Sequence, residues 1–592
     1  MPRPSAPSRR TLLLYLLAIE AYVSMLVFGP WSESTHPERV FMTVLAGGVT
    51  LLLVFLSRRI AFGLLAAAWF FMLIATASVL KETYLTTPLL ALDLIYFLNR
   101  DTVEVISRYP VLLSASLIGL FLLPLALYGV WRIDPPCVLA ACRRTWLRRL
   151  LLAAGVAVSG TAVALTLRPS GPFSEIYAKG MWLAMIDKSY LTNFFVSFHA
   201  TQIELPPISS KPDPAITWGD KPATPEPPAD PDAAAPAEPP AEPVPSVAAF
   251  RPDIVAVLEE STFDPRMLQV CTLPVCKRRL FMPDARTRAT GFLQVHTFGG
   301  GTWTAEFAFI TGIAHEIFGN AGLYAPFNLA PRVVYSLMKS LKTQGYRSIV
   351  IYPTAGSFIN ARNAYDFYGV DRLVDNADTG LGWESPDSKV FEVFERIYAD
   401  ERAAHPDQPL FVFVLTLRQH GPHMTPLKNL PAPYNKPLFA KKIDDWLNLN
   451  LGNYLYRLEQ SDLAMGQLEK KLLGGKQPVI LLHFGDHQPS FDGALNNLVK
   501  NVPKGIRDPS KVTYYMLKTN FAPAHRFDLP VLDIIYLGGL LLDVADLPKN
   551  PFYVANTQLR ERCKGRYLDC TAPGMLDSYH AHLFDELHAL KD

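Results

Sequence analysis

The chain has 592 residues, with 56 Lys and Arg against 54 Asp and Glu and a formal net charge of +2. That balance excludes the basic excess of a nucleic-acid binder, and six cysteines exclude a disulfide scaffold. Hydrophobic residues make up 49% and charged ones only 19%, below the ~25% charged of soluble domains, so the chain is read as part membrane and part globular.

In chain order, apolar runs occupy residues 11–30, 40–56, 60–80, 110–131 and 150–167, each near the ~20 residues that cross a bilayer. Arginines alternate with them: Arg3, Arg9 and Arg10 precede the first run, Arg58 and Arg59 follow the second, and Arg132, Arg143, Arg144, Arg148 and Arg149 follow the fourth. By the bias of Lys and Arg toward the cytoplasm, residues 1–170 are expected to be a five-span membrane domain with the N-terminus inside and the later chain outside. Glu20 and Lys81 fall near span ends, where long side chains reach the interface.

Residues 171–205 mix aromatics such as Tyr177, Trp182 and Phe198 with scattered charges, a pattern expected of interfacial helices or of packing on a soluble domain. Residues 206–248 are Pro- and Ala-rich and cannot form a core, so they read as a semi-rigid linker. Residues 249–592 show short apolar runs at 254–258, 348–352, 410–417 and 479–484, with helical patterns at 304–313, 333–344, 389–403 and 453–472 between them. Strands alternating with helices predict an α/β domain with a mostly parallel sheet, whose ligands gather at the carboxyl ends of the strands. Cys271 with Cys276 and Cys563 with Cys570 are two local pairs in this outer part, expected as disulfides in an oxidising compartment, with a zinc site as the competing reading. Cys137 and Cys142 fall in a cytoplasmic loop and are expected as thiols.

Three expected strands run into acidic or imidazole groups: Glu259-Glu260-Ser261, Gln419-His420-Gly421-Pro422-His423 and Gly485-Asp486-His487. Two carboxylates with one histidine form an oxygen-rich set suited to Mn²⁺, with Mg²⁺ or Zn²⁺ as alternatives. A fourth segment, Gly299-Gly300-Gly301-Thr302-Trp303-Thr304, opens a helix. A hydroxyl there either caps the helix or feels its positive end and binds phosphate oxygens.

Together, Leu258-Glu259-Glu260-Ser261, Gly301-Thr302 with Glu306-Phe307, His420-Gly421-Pro422 and Gly485-Asp486-His487 resemble the alkaline phosphatase/sulfatase superfamily, within it the branch of lipoteichoic acid synthases and membrane phosphoglycerol transferases. The resemblance covers residue 252 to about 542, and five spans before an outer catalytic domain also match that branch. It implies Glu260, Asp486 and His487 as metal ligands with Thr302 as the nucleophile at the metal, Thr304 being the fallback. It further implies His420 as the phosphate-contacting group that exchanges a proton. Glu259 would point away. Arg362, in Phe358-Ile359-Asn360-Ala361-Arg362-Asn363, resembles the substrate-binding arginine, although the branch has Trp where Ile359 stands and its Arg one position earlier. Sulfatases need C/S-x-P-x-R, which Cys271-Thr272-Leu273-Pro274 does not supply. The Gly-Glu-Thr-Ala-Arg signature of lipid A phosphoethanolamine transferases is missing at Glu260.

The implied activity is metal-dependent transfer of a phospholipid head group, phosphoglycerol first, to a periplasmic or cell-envelope glycan or polymer through a phospho-threonine. The protein would be a multi-pass inner-membrane protein with its catalytic domain on the periplasmic side. The alternatives are a phosphoethanolamine transferase, a phosphodiester or sulfate-ester hydrolase, and a non-catalytic scaffold or sensor. Oligomeric state is not legible.

Overall fold

A computed structural model describes residues 9–85, 88–96, 107, 110–178, 188–199, 203, 205, 216–219, 251–522 and 527–591. The chain divides into two compact units, one of residues 1–204 with 318–324, the other of 205–317 with 325–592.

In the first unit the helices Arg9–Phe28, His36–Ser57, Ile60–Leu85 and Thr145–Thr166 include, among the described residues, four spans long and apolar enough to cross a membrane. The fifth expected span is different. Residues 110–133 form an α segment Pro110–Leu117, a π turn Ile118–Leu122 and an α segment Leu123–Ile133. Pro124 lacks the N–H that would bond one turn back and its ring crowds the preceding turn, and a π bulge absorbs such an interruption. Among the described residues the count of uninterrupted spans is therefore four, not five. Helices in this unit approach closely through small residues: a Cβ on Gly63 would lie 2.4 Å from Val54 Cγ2. Lys81 does not simply extend to water, because its ammonium pairs with Asp93 at 2.8 Å and donates to the Pro88 carbonyl at 3.0 Å.

Within residues 171–205 one described helix packs against the preceding helices. The helix Tyr190–Ser197 is buried from Leu191 to Ser197, and Glu33 accepts from the backbone N–H of Leu191 and Thr192 at its start, both at 3.1 Å. A carboxylate at a helix N-terminus satisfies donors that have no partner within the helix. Leu191, Phe194, Phe195 and Val196 pack with Phe41, Leu45 and Phe71 of the preceding helices. Met181, Trp182 and Met185 lie outside the described residues.

The second unit is an α/β domain around an eight-stranded sheet. Its strands are β1 (Asp253–Glu259), β2 (Thr287–Gln294), β3 (Arg347–Ile351), β4 (Arg372–Val374), β5 (Leu410–Thr416), β6 (Val479–Gly485), β7 (Val512–Thr519) and β8 (Val531–Asp533), in the spatial order β4-β3-β5-β1-β6-β7-β2-β8. All neighbours are parallel except β7, which is antiparallel to both β6 and β2. β1, β5 and β6 are buried at every position, the signature of strands covered on both faces. On one face Val255 and Val257 join Val412, Val414 and Leu481 in a cluster with residues of the helices Asp387–Ala404 and Asp445–Leu472. On the other, Phe309 packs between Phe413 and Phe484, with ring centroids at 5.2 and 5.0 Å.

Cys271–Cys276 and Cys563–Cys570 are disulfide-bonded, and Cys137 and Cys142 remain thiols. Most of the expected linker lies outside the described residues, but residues 216–219 within it do not behave as a spacer. Trp218 donates to Ser578 Oγ at 3.0 Å, meets the Tyr579 ring edge-on, and lies under the Arg562 guanidinium at 4.6 Å.

Candidate metal centre and nucleophile

β1 and β6 are adjacent and in register, with Glu259 opposite Gly485, so the residues just beyond each strand meet over one edge. Gly485 permits this approach: a Cβ there would sit 1.8 Å from the Thr262 carbonyl oxygen. Beyond β1 the chain turns through Ser261 at φ +52°. This left-handed conformation costs a non-glycine residue on the order of 1 kcal/mol and aims the Ser261 N–H at Asp486 Oδ1, 2.7 Å away. The Ser261 hydroxyl donates to Glu260 Oε1 at 2.6 Å. Serine thus locks both carboxylates.

The result is a buried cluster of Glu260, Asp486 and His487 whose candidate ligand atoms all lie within 4.8 Å of one another. His487 Nδ1–H donates to the Gln488 carbonyl at 2.9 Å, so Nε2 carries the lone pair. That nitrogen faces Asp486 Oδ2 at 3.3 Å and Glu260 Oε1 at 3.6 Å. Among the described residues His487 Nε2 and Asp486 Oδ2 have no hydrogen-bond partner. A lone pair set against two carboxylates in a buried site is unfavourable unless a cation lies between them, and the donor set fits a divalent ion that accepts oxygen and nitrogen. Burial raises the Asp486 carboxyl, while His487 and the Thr302 hydroxyl act to lower it, the net shift being upward.

Glu259 stands apart. It accepts from the Tyr514 hydroxyl, is fully buried, and is pushed well above the usual carboxylate range by burial and by Asp387, Asp462 and Glu469. Of the doubled pair, Glu260 enters the cluster and Glu259 enters the protein interior.

Thr302 is the first residue of the helix Thr302–Thr311, after Gly301 at φ +82°. Its hydroxyl is the one that acts on Asp486. Thr304 is buried and donates to the Gly301 carbonyl at 2.7 Å, which commits it to the local turn. One turn beyond Thr302, the buried Glu306 accepts from the Tyr365 hydroxyl at 2.6 Å, and burial first, with Asp486 adding, pushes it up to about 7.

His420 lies beyond β5 on the same sheet edge. Its Nδ1–H donates to the Gly421 carbonyl at 2.8 Å, so Nε2 is the nitrogen that can exchange a proton with a ligand. The loop is held by Arg457, which donates to the carbonyls of His420 at 2.7 Å and Pro422 at 3.0 Å. Arg362 is half-exposed and bridges Asp375 at 2.6 Å, the same oxygen that accepts the Gly356 N–H. Although burial raises Asp375, Arg362 and the backbone donors hold it below its ordinary value. Trp383 packs on His420 and Phe358, with centroids at 4.8 and 5.2 Å.

Sequence reasoning passed over Ser261, Arg457 and Trp383. Ser261 could have been suspected from its place in Glu-Glu-Ser. Arg457 lies inside a long helix and Trp383 in a loop, and nothing in their spacing points to His420.

Residues 252–532 match the family profile named Sulfatase. An uncharacterized Haemophilus influenzae protein is 31% identical over 353 residues, covering 57% of this chain and 61% of the relative. A putative cyclic beta-1,2-glucan modification protein of Rhizobium meliloti is 27% identical over 261 residues, 41% of this chain and 36% of the relative. The chain thus spans under two thirds of both relatives. Among solved structures, the Streptococcus pyogenes phosphoglycerol transferase GacH, in complex with sn-glycerol-1-phosphate, aligns at 19% identity and a TM-score of 0.45, covering 57% of this chain and 86% of the other. With the strand-end cluster over a largely parallel sheet, the profile match gives residues 252–532 the alkaline phosphatase/sulfatase fold.

Proposed function

We propose that the protein is a multi-pass inner-membrane enzyme whose periplasmic domain transfers a phospholipid head group, phosphoglycerol, to a glycan of the cell envelope through a phospho-threonine at Thr302. The observation that carries this reading is the buried Glu260–Asp486–His487 cluster with the Thr302 hydroxyl at its side and at a helix N-terminus. A divalent cation, held by those three residues with Mn²⁺ as the first candidate, would supply charge stabilisation and a more acidic threonine hydroxyl.

The remaining steps belong to the chain's own groups. Thr302 gives its proton to solvent and its oxygen forms a bond to phosphorus. The bond from phosphorus to the diacylglycerol oxygen breaks, and that oxygen takes a proton from His420 Nε2. In the second half an acceptor hydroxyl returns a proton to His420 and bonds to phosphorus, while Thr302 leaves and regains its proton. The positive end of the Thr302–Thr311 helix stabilises charge on the threonine oxygen. Arg362 would meet a phosphate oxygen by exchanging part of its bond with Asp375. The likeness to the Rhizobium meliloti protein supports a glycan as acceptor.

The test is intact mass of the full chain in detergent after incubation with Mn²⁺ and either phosphatidylglycerol or phosphatidylethanolamine, with Thr302→Ala as control. A glycerophosphate adduct confined to the wild type is expected. A phosphoethanolamine adduct would replace the donor and keep the mechanism. Lipid consumed with no adduct would favour a hydrolase, and neither adduct nor consumption would count against catalysis on these lipids.

A further inference from the structure

A second polar site shares the sheet edge with the metal centre. β2 is antiparallel to β7, and β7 to β6, so β2 and its parallel partner β8 point the same way as β1 and β6. Gln294 ends β2, Asp533 ends β8 and Lys511 immediately precedes β7. With His296, Arg507 and Asp569 they line an open cavity of about 240 Å³. β2 lies two places from β6 in the sheet, or ~10 Å at the usual strand spacing.

The cavity is tied to the candidate nucleophile by the chain itself. Residues 297–301 run from His296 to Thr302. In that loop the Gly299 N–H donates to the Gln488 carbonyl at 3.0 Å, and the Gln488 amide donates to the carbonyls of Pro509 and Val512 at 2.9 and 2.7 Å. Gln488 follows the candidate ligands Asp486 and His487, so one residue braces both sites. The rim is built as firmly. Asp569 lies in the loop closed by Cys563–Cys570 and accepts from Gln294 at 2.7 Å and Arg507 at 2.6 Å.

The chemistry of the lining narrows the ligand. His296 is buried between Asp533 at 2.9 Å and Glu316 at 3.1 Å, and Lys511 pairs with Glu316 at 2.8 Å. Each cation of the lining is paired with a carboxylate, His296 with Asp533 and Glu316, Lys511 with Glu316 and Arg507 with Asp569, while Asp508 accepts from Ser510, so an anion finds no uncommitted cation. Hydrogen-bonding capacity remains. The Gln294 amide nitrogen is spent on Asp569, while its buried Oε1 has no hydrogen-bond partner among the described residues. That oxygen can be satisfied only by a donor such as a hydroxyl. A neutral polyhydroxylated molecule supplies donors to Gln294 and the carboxylates and acceptors to Lys511 and Arg507.

We infer that this cavity, bounded by Gln294, Asp569, Arg507 and Lys511, is the acceptor subsite, and that it binds an uncharged saccharide whose neighbouring hydroxyl reaches the phosphorylated Thr302. This rests on the head-group-transfer reading above.

The full chain in detergent, loaded with Mn²⁺ and free of phospholipid, is titrated with a linear glucose hexasaccharide by calorimetry and saturation-transfer NMR. Binding to the wild type is expected, weakened at least about fivefold by Gln294→Leu and by Arg507→Ala, the loss of one hydrogen bond in each case. Mn²⁺ uptake by these variants should match the wild type, which shows that they are folded, and Thr302→Ala should bind the saccharide as the wild type does. Absent binding, or binding undiminished in both cavity variants, overturns the inference. So does a second equivalent of Mn²⁺ lost with Asp569→Asn, which would make the cavity a cation site. The two readings fail separately. A Thr302-dependent lipid adduct with cavity-insensitive saccharide binding removes only this subsite, whereas cavity-sensitive binding without any adduct removes the transfer reaction and keeps the subsite.

Discussion

Two clusters of charge sit on one sheet edge and are neutralised in opposite ways. Around His296 each charge has its partner within the protein: Asp533 and Glu316 on the imidazole, Lys511 on Glu316, Arg507 on Asp569. Around His487 two carboxylates face a ring nitrogen whose proton is on the far side. The same residue types therefore serve different ends. A histidine whose two nitrogens both meet carboxylates is a structural cation, whereas one whose Nδ1 is tied to a carbonyl offers Nε2 to something not encoded in the chain.

The predictions test this contrast, beginning with the largest effect. Thr302→Ala is expected to lower head-group transfer by on the order of 10⁴ or more, as loss of an essential nucleophile does, read from lipid turnover. Glu260→Gln should abolish high-affinity Mn²⁺ uptake, while Glu259→Gln retains it, because the amide resembles the protonated carboxyl that Tyr514 contacts. Calorimetric Mn²⁺ titration of both variants checks this, and equal loss in both would erase the distinction between the two glutamates. Excess Mn²⁺ at ~100 Kd should stabilise the wild type by about 2.7 kcal/mol, absent in Asp486→Asn, in a thermal melt.

The His296 cluster should respond to pH and not to metal. Burial acts to lower His296, but Asp533 and Glu316 outweigh it and raise it from 6.5 to about 9. A raised histidine contributes fully below its unfolded value and loses that contribution as pH rises through about 9, a change on the order of 3 kcal/mol at most. Glu316 is held at about 2, His296 and Lys511 overcoming the effect of burial. Its contribution is present above the ordinary 4.5 and is lost as pH falls through about 2. His315, pushed down to about 3 by burial, stays neutral across this window. Wild-type melting temperature should therefore fall between pH 7 and 10 more than that of His296→Gln, measured without metal. The smallest effect concerns the loop of His420: Arg457→Gln should lower transfer about tenfold by freeing the His420 and Pro422 carbonyls, with the loss appearing in turnover rather than in Mn²⁺ uptake.

Much of the α/β domain was legible because burial on both faces writes itself as continuous apolar runs. β1, β3, β5 and β6 fall where such runs predict them. β2 and β7 did not show, since Thr287–Gln294 has only Ala289, Phe292 and Leu293 as apolar residues, in no period, with a glycine inside, and Val512–Thr519 carries threonine, tyrosine and lysine that are buried only through partners such as Glu259 and Glu469. In the membrane part, hydropathy marked the apolar segments but not the π turn at Ile118–Leu122. The docking of Trp218 was hidden inside a proline-rich stretch.

By its own order, the sequence determined which residues end the central strands, and hence that Glu260, His420, Asp486 and His487 would gather along one edge, because parallel strands deliver their carboxyl ends together. The tertiary structure showed how the doubled glutamates part: Glu260 enters the cluster with Asp486 and His487, and Glu259 meets Tyr514 in the interior. The reason is directional. Adjacent residues at a strand end point to opposite sides, and which side holds Tyr514 or Asp486 depends on strands more than two hundred residues away. The tertiary structure likewise decided that His296, Asp533, Glu316 and Asp569 form one cavity, since no local pattern links β2, β8 and a disulfide-closed loop until the sheet assembles them.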